Sequence, residues 1–333
     1  MKNSFRALAI AVLILAPAAG LGQDATVVSE VKITTLSTML TEFHGVGEWG
    51  YAALIEVDGQ KLLFDTGARP DSVLKNAKEL GIDLSDVESV VLSHHHWDHT
   101  GGLVTLRKTF REFNPSALGD VHVGDGIFRK RSMDPEAVAR PAAGGPPREF
   151  LVNVFDVRDE YMALGGSFTI HDKPREIFPG IWITGPIPRV HDERNWTPFN
   201  RIEQDGTMVE DTIPEDQALV IDTVEGLVVV AGCGHAGIVN TMEYARRITG
   251  GKPILAVLGG FHMLSLTDEK VAWTGEKMRE FGVRHVVGSH CTGINAVTGL
   301  RKACQLDRET AVVGAVGNVF TVGEGIKAGM LTR

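Results

Sequence analysis

The sequence has few cysteines and a deficit of positive charge, and each shortage excludes a class of protein. Only three cysteines occur among its 333 residues, which is too few for a disulfide-linked scaffold. The formal net charge is −9, so the basic surface that binds nucleic acid is not predicted. No repeat of useful period and no long low-complexity linker is present. We expect a small-molecule substrate, and the sequence leaves the oligomeric state open.

The hydrophobic run that stands out lies at the N terminus. Residues 7–22 are apolar or small, follow Lys2 and Arg6, and have the layout of a secretory signal. The run is short for a membrane span, although an uncleaved N-terminal anchor stays open as the alternative. We expect residues 1–22 to be removed, which makes the mature chain more acidic. The predicted location is periplasmic or secreted, without stable membrane insertion.

The rest of the chain alternates between strand and helix patterns. Strands are predicted at residues 31–37, 52–57, 61–64, 87–92, 217–223 and 226–231. Strand pairs come first in each half, and strand–helix units follow them. That order predicts an α/β fold, an αββα sandwich of two mixed sheets with helices on the outer faces. We assign one domain to residues 30–325.

A less regular stretch interrupts this domain at about residues 120–200. Short strand-like pieces, such as residues 151–155, alternate there with turns, and residues 140–147 form a loop rich in proline and glycine. Long loops within a domain are usually functional lids or mobile excursions. We therefore predict an irregular insertion, and whether it acts as a lid stays open.

The segment from His94 to His99 carries the chemistry of the sequence. It reads H-x-H-x-D-H and directly follows an apolar strand. Side chains at positions i and i+2 of an extended segment point the same way, so His94 and His96 can bind one ion. As the chain turns, Asp98 and His99 are displaced toward a second ion. Imidazole and carboxylate ligands suit zinc, and Mn²⁺ or Fe²⁺ fit as well.

Distant residues must complete the coordination of both ions, because this short loop cannot supply every ligand. His290, His235 and His262 each follow an apolar strand, where α/β architectures place their sites. We expect His290 and His235 to be ligands and His262 to line the substrate pocket. Together with the loop, they predict a site for two divalent metal ions.

These motifs resemble the metallo-β-lactamase superfamily. The resemblance rests on 94–102 as the metal signature and on Leu63-Phe-Asp-Thr-Gly67 as the earlier aspartate motif. Further blocks at 41–42, 232–237, 259–262 and 290–293 are similar to the subfamily named for dihydropterin–ribofuranosylaminobenzene phosphate synthase. The resemblance implies the same fold, and it implies that Asp65 supports the metal loop by hydrogen bonds. Ser93 is a second candidate for that supporting role.

One departure from the commoner hydrolases concerns the second half of the site. Those enzymes carry another histidine before the strand pair near 217–231 and a bridging aspartate after it. Here Cys233 stands where the aspartate is expected, and no histidine precedes the pair. We infer that His235 replaces the missing histidine and that Cys233 lies near the metals. A thiolate ligand and a buried apolar residue are both open for Cys233.

The predicted function is metal-dependent hydrolysis. A metal ion lowers the pKa of bound water, so the resulting hydroxide could attack an ester, lactone, amide or phosphoester. Asp98 is predicted to orient this nucleophile and accept its proton. Arg189 is a candidate partner for an anionic substrate group, with a solvated surface arginine as the alternative.

Two other functions stay open. The first is the condensation of a pterin with a ribosyl phosphate that the subfamily name implies, with loss of diphosphate. The predicted export argues against that reaction, because its substrates are cytosolic. The second is a non-catalytic protein that binds a ligand through its metals.

Overall fold

The computed structural model describes residues 27–133 and 154–333. The predicted signal at residues 1–22 and the predicted loop at 140–147 lie outside the described residues. Within them, no helix combines the length and apolar character that a membrane crossing needs.

The strands and helices agree with most of the sequence-based predictions. The strands are β1 (Val31–Ser37), β2 (Leu40–Thr41), β3 (Ala52–Val57), β4 (Gln60–Phe64), β5 (Ser89–Val91), β6 (Asp120–Gly124), β7 (Arg131–Met133), β8 (Ser167–His171), β9 (Arg175–Phe178), β10 (Ile181–Ile183), β11 (Asn200–Gln204), β12 (Thr207–Glu210), β13 (Ala218–Thr223), β14 (Gly226–Ala231), β15 (Ile254–Gly259), β16 (His285–Gly288), β17 (Ala311–Val313), β18 (Ala315–Val316), β19 (Val319–Thr321) and β20 (Gly325–Lys327). The helices are α1 (Ser72–Glu79), α2 (Trp97–Thr100), α3 (Leu103–Phe110), α4 (Phe155–Ala163), α5 (Ile238–Ile248), α6 (Asp268–Glu280) and α7 (Ile294–Cys304), with a 3₁₀ turn at His290–Thr292.

Two large mixed sheets form the centre of the fold. The first has eight strands in the order β20-β19-β1-β3-β4-β5-β6-β8, and the second has seven in the order β17-β16-β15-β14-β13-β10-β9. Smaller sheets join β12-β11-β7 and β18-β2. In the first sheet β3 and β4 form the predicted hairpin, where Asp58 and Gly59 both have positive φ, as a type I′ turn requires.

The alternation of apolar residues along the strands explains how the layers pack. Ile33, Ile55 and Phe64 of the first sheet share one buried core with Val230 and Leu258 of the second. The opposite face of the first sheet packs against α1 and α3, and that of the second packs against α5, α6 and α7. Each sheet therefore buries both faces, which confirms the predicted αββα sandwich.

The stretch at about 120–200 is more regular than the sequence indicates. Its described part contains β6 and β8 of the first sheet and β9 and β10 of the second. The prediction of a strand-like piece at 151–155 is wrong at Phe155, because this residue begins helix α4. This helix buries only Tyr161 and β8 buries only His171. Since most of their side chains face outward, neither leaves a hydrophobic period in the sequence.

Parallel pairing in the two sheets decides where the loops meet. Strands β4, β5, β6 and β8 run parallel in the first sheet. Strands β14, β15, β16 and β17 do so in the second. The Gln217 amide donates to the carbonyl of Ser93 at 3.0 Å, which joins the start of β13 to the loop after β5. The loops that follow the parallel strands thus form one surface at the carboxyl edge of both sheets.

Candidate metal centre

Three histidines from two loops form the first group of possible ligands. His94 and His96 follow β5, and His235 follows β14. Their ligand nitrogens lie within 4.8 Å of one another, and His94 Nε2 is 2.8 Å from His96 Nδ1. The structure therefore brings together the two residues of the predicted i, i+2 pair and the distant histidine predicted to join them.

Asp98, His99 and His290 form the second group. Their ligand atoms also lie within 4.8 Å of one another, and His290 Nε2 is 3.3 Å from Asp98 Oδ2. Asp98 and His99 belong to the short helix α2, whose turn displaces them from His94 and His96. This is the separation that the sequence predicts for a second ion.

Cys233 lies where the two groups meet. Its Sγ is 3.1 Å from His99 Nε2, and Cys233, His94 and His99 also have ligand atoms within 4.8 Å of one another. The side chain is buried, with 1% of its surface exposed. The sulfur atom therefore lies between the two groups of candidate ligands, where the sequence predicts Cys233 to be near the metals.

The state of the imidazole nitrogens fits bound metal. Nε2 of His235 and Nδ1 of His290 are buried without a hydrogen-bond partner, which is costly unless a ligand satisfies them. Burial lowers the pKa of His94, His96 and His235 well below the usual value. Neutral rings keep a lone pair for a cation. The donor set suits zinc and related first-row metals.

Neighbouring groups fix which nitrogen each ring presents. His235 Nδ1 donates to the carbonyl of Asn195, and His99 Nδ1 donates to Asp65 Oδ2 at 2.7 Å. Because those acceptors carry no proton to give, the neutral form of each ring has its lone pair on Nε2, toward the centre. His94 Nδ1 lies 2.8 Å from the hydroxyl of Ser93.

Asp65 supports the loop at residues 93–99 through hydrogen bonds. Its carboxylate accepts the Ser93 amide at 2.7 Å and the Ser93 hydroxyl at 2.8 Å, besides the ring of His99. Both residues are fully buried. Gly232 allows this approach, since a Cβ there would lie 2.0 Å from Ser93 Oγ and 2.6 Å from Asp65 Oδ2. These contacts are the kind of support that the sequence predicts for Asp65 and Ser93.

The carboxylates of the centre also set its charge. Burial opposes ionisation of Asp98, but His99 and His290 lower its pKa below the usual range. Burial likewise opposes protonation of His99, yet Asp65 and Asp98 raise its pKa to about 9. His99 must lose a proton to bind a cation, so metal binding at the second group strengthens as pH rises.

His95 points away from both groups. Its Nδ1 is 2.6 Å from Glu215 Oε1, and Glu215 in turn accepts from Arg131 Nη2 at 2.7 Å. Arg131 also donates to Asp211 at 2.8 Å. This buried ion network holds the start of the loop. Sequence reasoning missed it, because the residues lie far apart in the chain and belong to no motif.

The two pocket residues predicted from the sequence have different surroundings. The ring centroid of His262 is 4.7 Å from that of His235, and its ligand atom lies within 4.8 Å of those of Cys233 and Cys291. Arg189 Nη2 instead donates to the carbonyls of Thr212 and Ile213. The guanidinium is thus engaged with the backbone, and the structure gives no support to its predicted anion-binding role.

A cleft of about 450 Å³ opens beside the centre. It is lined by Met39, Leu264 and Ile294, and by the immediate neighbours of His262 and Cys291, Met263 and Thr292. Leu264 and Ile294 are each 55% exposed. The cleft therefore has an apolar wall next to the candidate ligands His262 and Cys291.

Comparisons with known proteins agree with this geometry. Residues 50–175 match the family model described as the metallo-beta-lactamase superfamily. The 7,8-dihydropterin-6-methyl-4-(β-D-ribofuranosyl)-aminobenzene-5′-phosphate synthase of Methanocaldococcus jannaschii is 28% identical over 299 residues, which are 87% of this chain and 97% of that enzyme.

Two solved structures extend the comparison to the fold. A metal-dependent hydrolase of the β-lactamase superfamily aligns with a TM-score of 0.68 and 26% identity, over 87% of this chain and 98% of its own. The metallo-beta-lactamase fold protein YhfI from Bacillus subtilis shares only the fold, with a TM-score of 0.52 and 14% identity over 88% of this chain and 100% of its own. This chain therefore has the metallo-β-lactamase fold, residues 50–175 of it match the metallo-β-lactamase superfamily, and over most of its length it is similar to the archaeal synthase.

Proposed function

We propose that this protein is an exported metal-dependent hydrolase of an ester, lactone, amide or phosphoester. The observation that carries the proposal is the pair of adjacent ligand groups, His94–His96–His235 and Asp98–His99–His290, with buried nitrogens that lack partners. Divalent cations held there would supply the Lewis acidity that activates water and polarises a carbonyl or phosphoryl oxygen. The similarity to the structure of a metal-dependent hydrolase of the β-lactamase superfamily supports the same class of reaction.

The residues of the chain have separate tasks in this reaction. The imidazoles of the first group would hold one cation, and the imidazoles and carboxylate of the second group would hold the other. Asp98 is ionised, because its neighbouring histidines lower its pKa, so it can orient the attacking water and accept its proton. Trp49 packs against His290 with ring centroids 4.9 Å apart and is 41% exposed. It forms part of the rim through which a substrate would enter.

The test is turnover by the mature protein loaded with zinc or manganese. Aryl esters, lactones and phosphodiesters form the substrate panel, and His96→Ala should lower kcat/KM by more than about 100-fold on any substrate that is turned over. His171→Ala provides the matched control, since His171 is buried but lies outside both groups. Turnover that survives His96→Ala, or none on the whole panel despite bound metal, would reject the hydrolase.

A second function has its own support in the identity to the archaeal synthase, which covers 97% of that enzyme. In this alternative the chain would join a dihydropterin to a ribofuranosylaminobenzene phosphate. Incubation with the pterin diphosphate and the ribosyl phosphate, followed by mass spectrometry of the product, separates it from hydrolysis. A coupled product that requires both substrates would favour the synthase. Metal without turnover in either assay would favour a ligand-binding role.

The export included in the proposal has a separate test. Expression of the full chain and of a form lacking residues 1–22 in a bacterial host, followed by fractionation, should place only the full chain outside the cytoplasm. The N-terminal sequence of the exported form should begin between about residues 20 and 25. A full-length chain in the membrane fraction would instead support the uncleaved anchor.

A further inference from the structure

Three neighbouring parallel strands of the second sheet each lead to a side chain with a metal-binding atom. In β14, β15 and β16, Ala231 pairs with Gly259 and Gly259 pairs with Gly288. The chain thus leaves all three strands at the same edge. Cys233, His262 and Cys291 follow within two or three residues of those ends. The topology alone therefore brings two sulfur atoms and one imidazole to a common place.

Their atoms are close enough to share a ligand. The two sulfurs and the ring nitrogen of His262 lie within 4.8 Å of one another. Both cysteines are free and buried, and the His262 amide donates to Cys291 Sγ at 3.2 Å. His262 Nδ1 is buried without a hydrogen-bond partner. Neighbouring ligands of a tetrahedral zinc ion lie about 3.5 Å apart, so a small contraction would complete such a site.

The backbone around these residues adopts unfavourable conformations to form this cluster. His262 has φ +49°, a left-handed conformation that costs free energy for a residue other than glycine. At Gly260 a Cβ would lie 2.9 Å from Cys291 Sγ and 2.1 Å from the carbonyl of Gly232, so only glycine lets the two loops approach. Strain of this kind concentrates at functional sites.

We infer that Cys233, His262 and Cys291 form a third metal position, rich in sulfur, beside the two groups of the proposed hydrolase centre. Thiolate and imidazole ligands select zinc or another soft cation and disfavour magnesium and calcium. Three protein ligands leave the fourth tetrahedral position open. Cys233 is shared with the group that includes His94 and His99, whereas His262 and Cys291 belong to no other group of candidate ligands within residues 27–133 and 154–333. Those two residues therefore report on the third position alone.

The experiment counts metal ions and follows a sulfur-specific signal. Reduced mature protein, kept anaerobic and freed of metal by chelation, is titrated with Co²⁺ while the near-ultraviolet thiolate-to-metal charge-transfer band is recorded. Zinc per chain is measured in parallel by elemental analysis after gel filtration. We expect three ions per chain for the unchanged protein, two for Cys291→Ser, and a smaller charge-transfer band in that variant.

Two further variants make the result decisive. His262→Asn removes the imidazole but keeps a residue that tolerates positive φ, and it should also bind one ion fewer. Cys304→Ser is the matched control. Cys304 is equally free and buried, but its Sγ donates to the carbonyl of Gly275, and it belongs to none of the metal-ligand groups among the described residues. Its ion count and band should equal those of the unchanged protein.

Several outcomes would overturn the inference. The first is a count of two ions in the unchanged protein, and the second is an unchanged ion count in His262→Asn. The third is a mass 2 Da below that of the reduced chain, which would show a Cys233–Cys291 disulfide in the protein as isolated. Thermal unfolding of each variant identifies any that fails to fold, and His262→Asn then decides alone. Since no substrate is used, failure here leaves the hydrolase proposal standing. Failure of the hydrolase assay likewise leaves the ion count unaffected.

Discussion

Replacing Asp65 by Asn tests whether the buried carboxylate orients His99 for metal binding. In the protein Oδ1 accepts the Ser93 amide, while Oδ2 accepts both the Ser93 hydroxyl and the Nδ1 proton of His99. Asparagine has nearly the same shape and tolerates the positive φ of this position, 56°. The substitution therefore changes the hydrogen bonding of Asp65 and leaves the backbone in place.

The magnitude follows from the two ways in which the amide can point. With its oxygen toward His99, its NH₂ group opposes the Ser93 amide and leaves a buried donor unsatisfied, which costs about 1–3 kcal/mol. With the NH₂ toward His99, Nδ1 must accept, and the proton moves to Nε2, the nitrogen that faces the centre. Metal binding must then restore the first arrangement at that cost. Because 1.4 kcal/mol is tenfold, we expect metal affinity at the second group to fall about 10–100-fold.

A competition titration with a chromophoric zinc chelator measures this change. Asp222→Asn is the control, because Asp222 is also buried and accepts two bonds from Lys252 Nζ, at 2.6 and 2.8 Å. Asp222 lies near the end of β13, whereas Gln217, which contacts the metal loop, lies just before its start. The loss of the Asp222 carboxylate should therefore reduce stability without reducing metal affinity. Affinities equal within about threefold for Asp65→Asn and the unchanged protein would refute the orienting role.

Three other outcomes follow from buried contacts near the centre. Arg131→Met removes the buried guanidinium that neutralises the Glu215 and Asp211 carboxylates, so urea unfolding should show a loss of about 3–5 kcal/mol; a loss below about 1 kcal/mol would contradict the network. Burial opposes the ionisation of Glu215, but Arg131 and His95 lower the pKa of this carboxyl group below its ordinary 4.5. The ionised Glu215 therefore contributes its full stabilisation above about pH 4.5, and this contribution is lost as the pH falls toward the lower pKa of Glu215 in the folded protein. In Glu215→Gln the melting temperature should accordingly fall less steeply as the pH is lowered below 4.5. Gly232→Ala forces a methyl group against Ser93 and Asp65, so it should cost about 1–3 kcal/mol and release zinc in equilibrium dialysis; unchanged zinc retention would show that the loop can move aside.

Much of the centre could be predicted from the sequence because its ligands follow local rules. His94 and His96 share a direction by the two-residue period of an extended chain. His235, His262 and His290 each end an apolar strand, and parallel strands end at one edge. The order of strand pairs and strand–helix units likewise predicted the two-sheet sandwich. Elements with few buried side chains, such as α4, show no hydrophobic period in the sequence and were not predicted.

Other features were decided only by the tertiary structure, because they depend on how distant segments pack. The sequence could not tell which nitrogen His235 presents, since the carbonyl of Asn195 that fixes it belongs to a separate loop. Nor could it show that Arg189 is held by backbone carbonyls. The sequence by itself determined which residues can bind metal, through residue type and short-range geometry. Their grouping around Cys233 was decided by the packing of the two sheets, because only that packing sets distances between loops far apart in the chain.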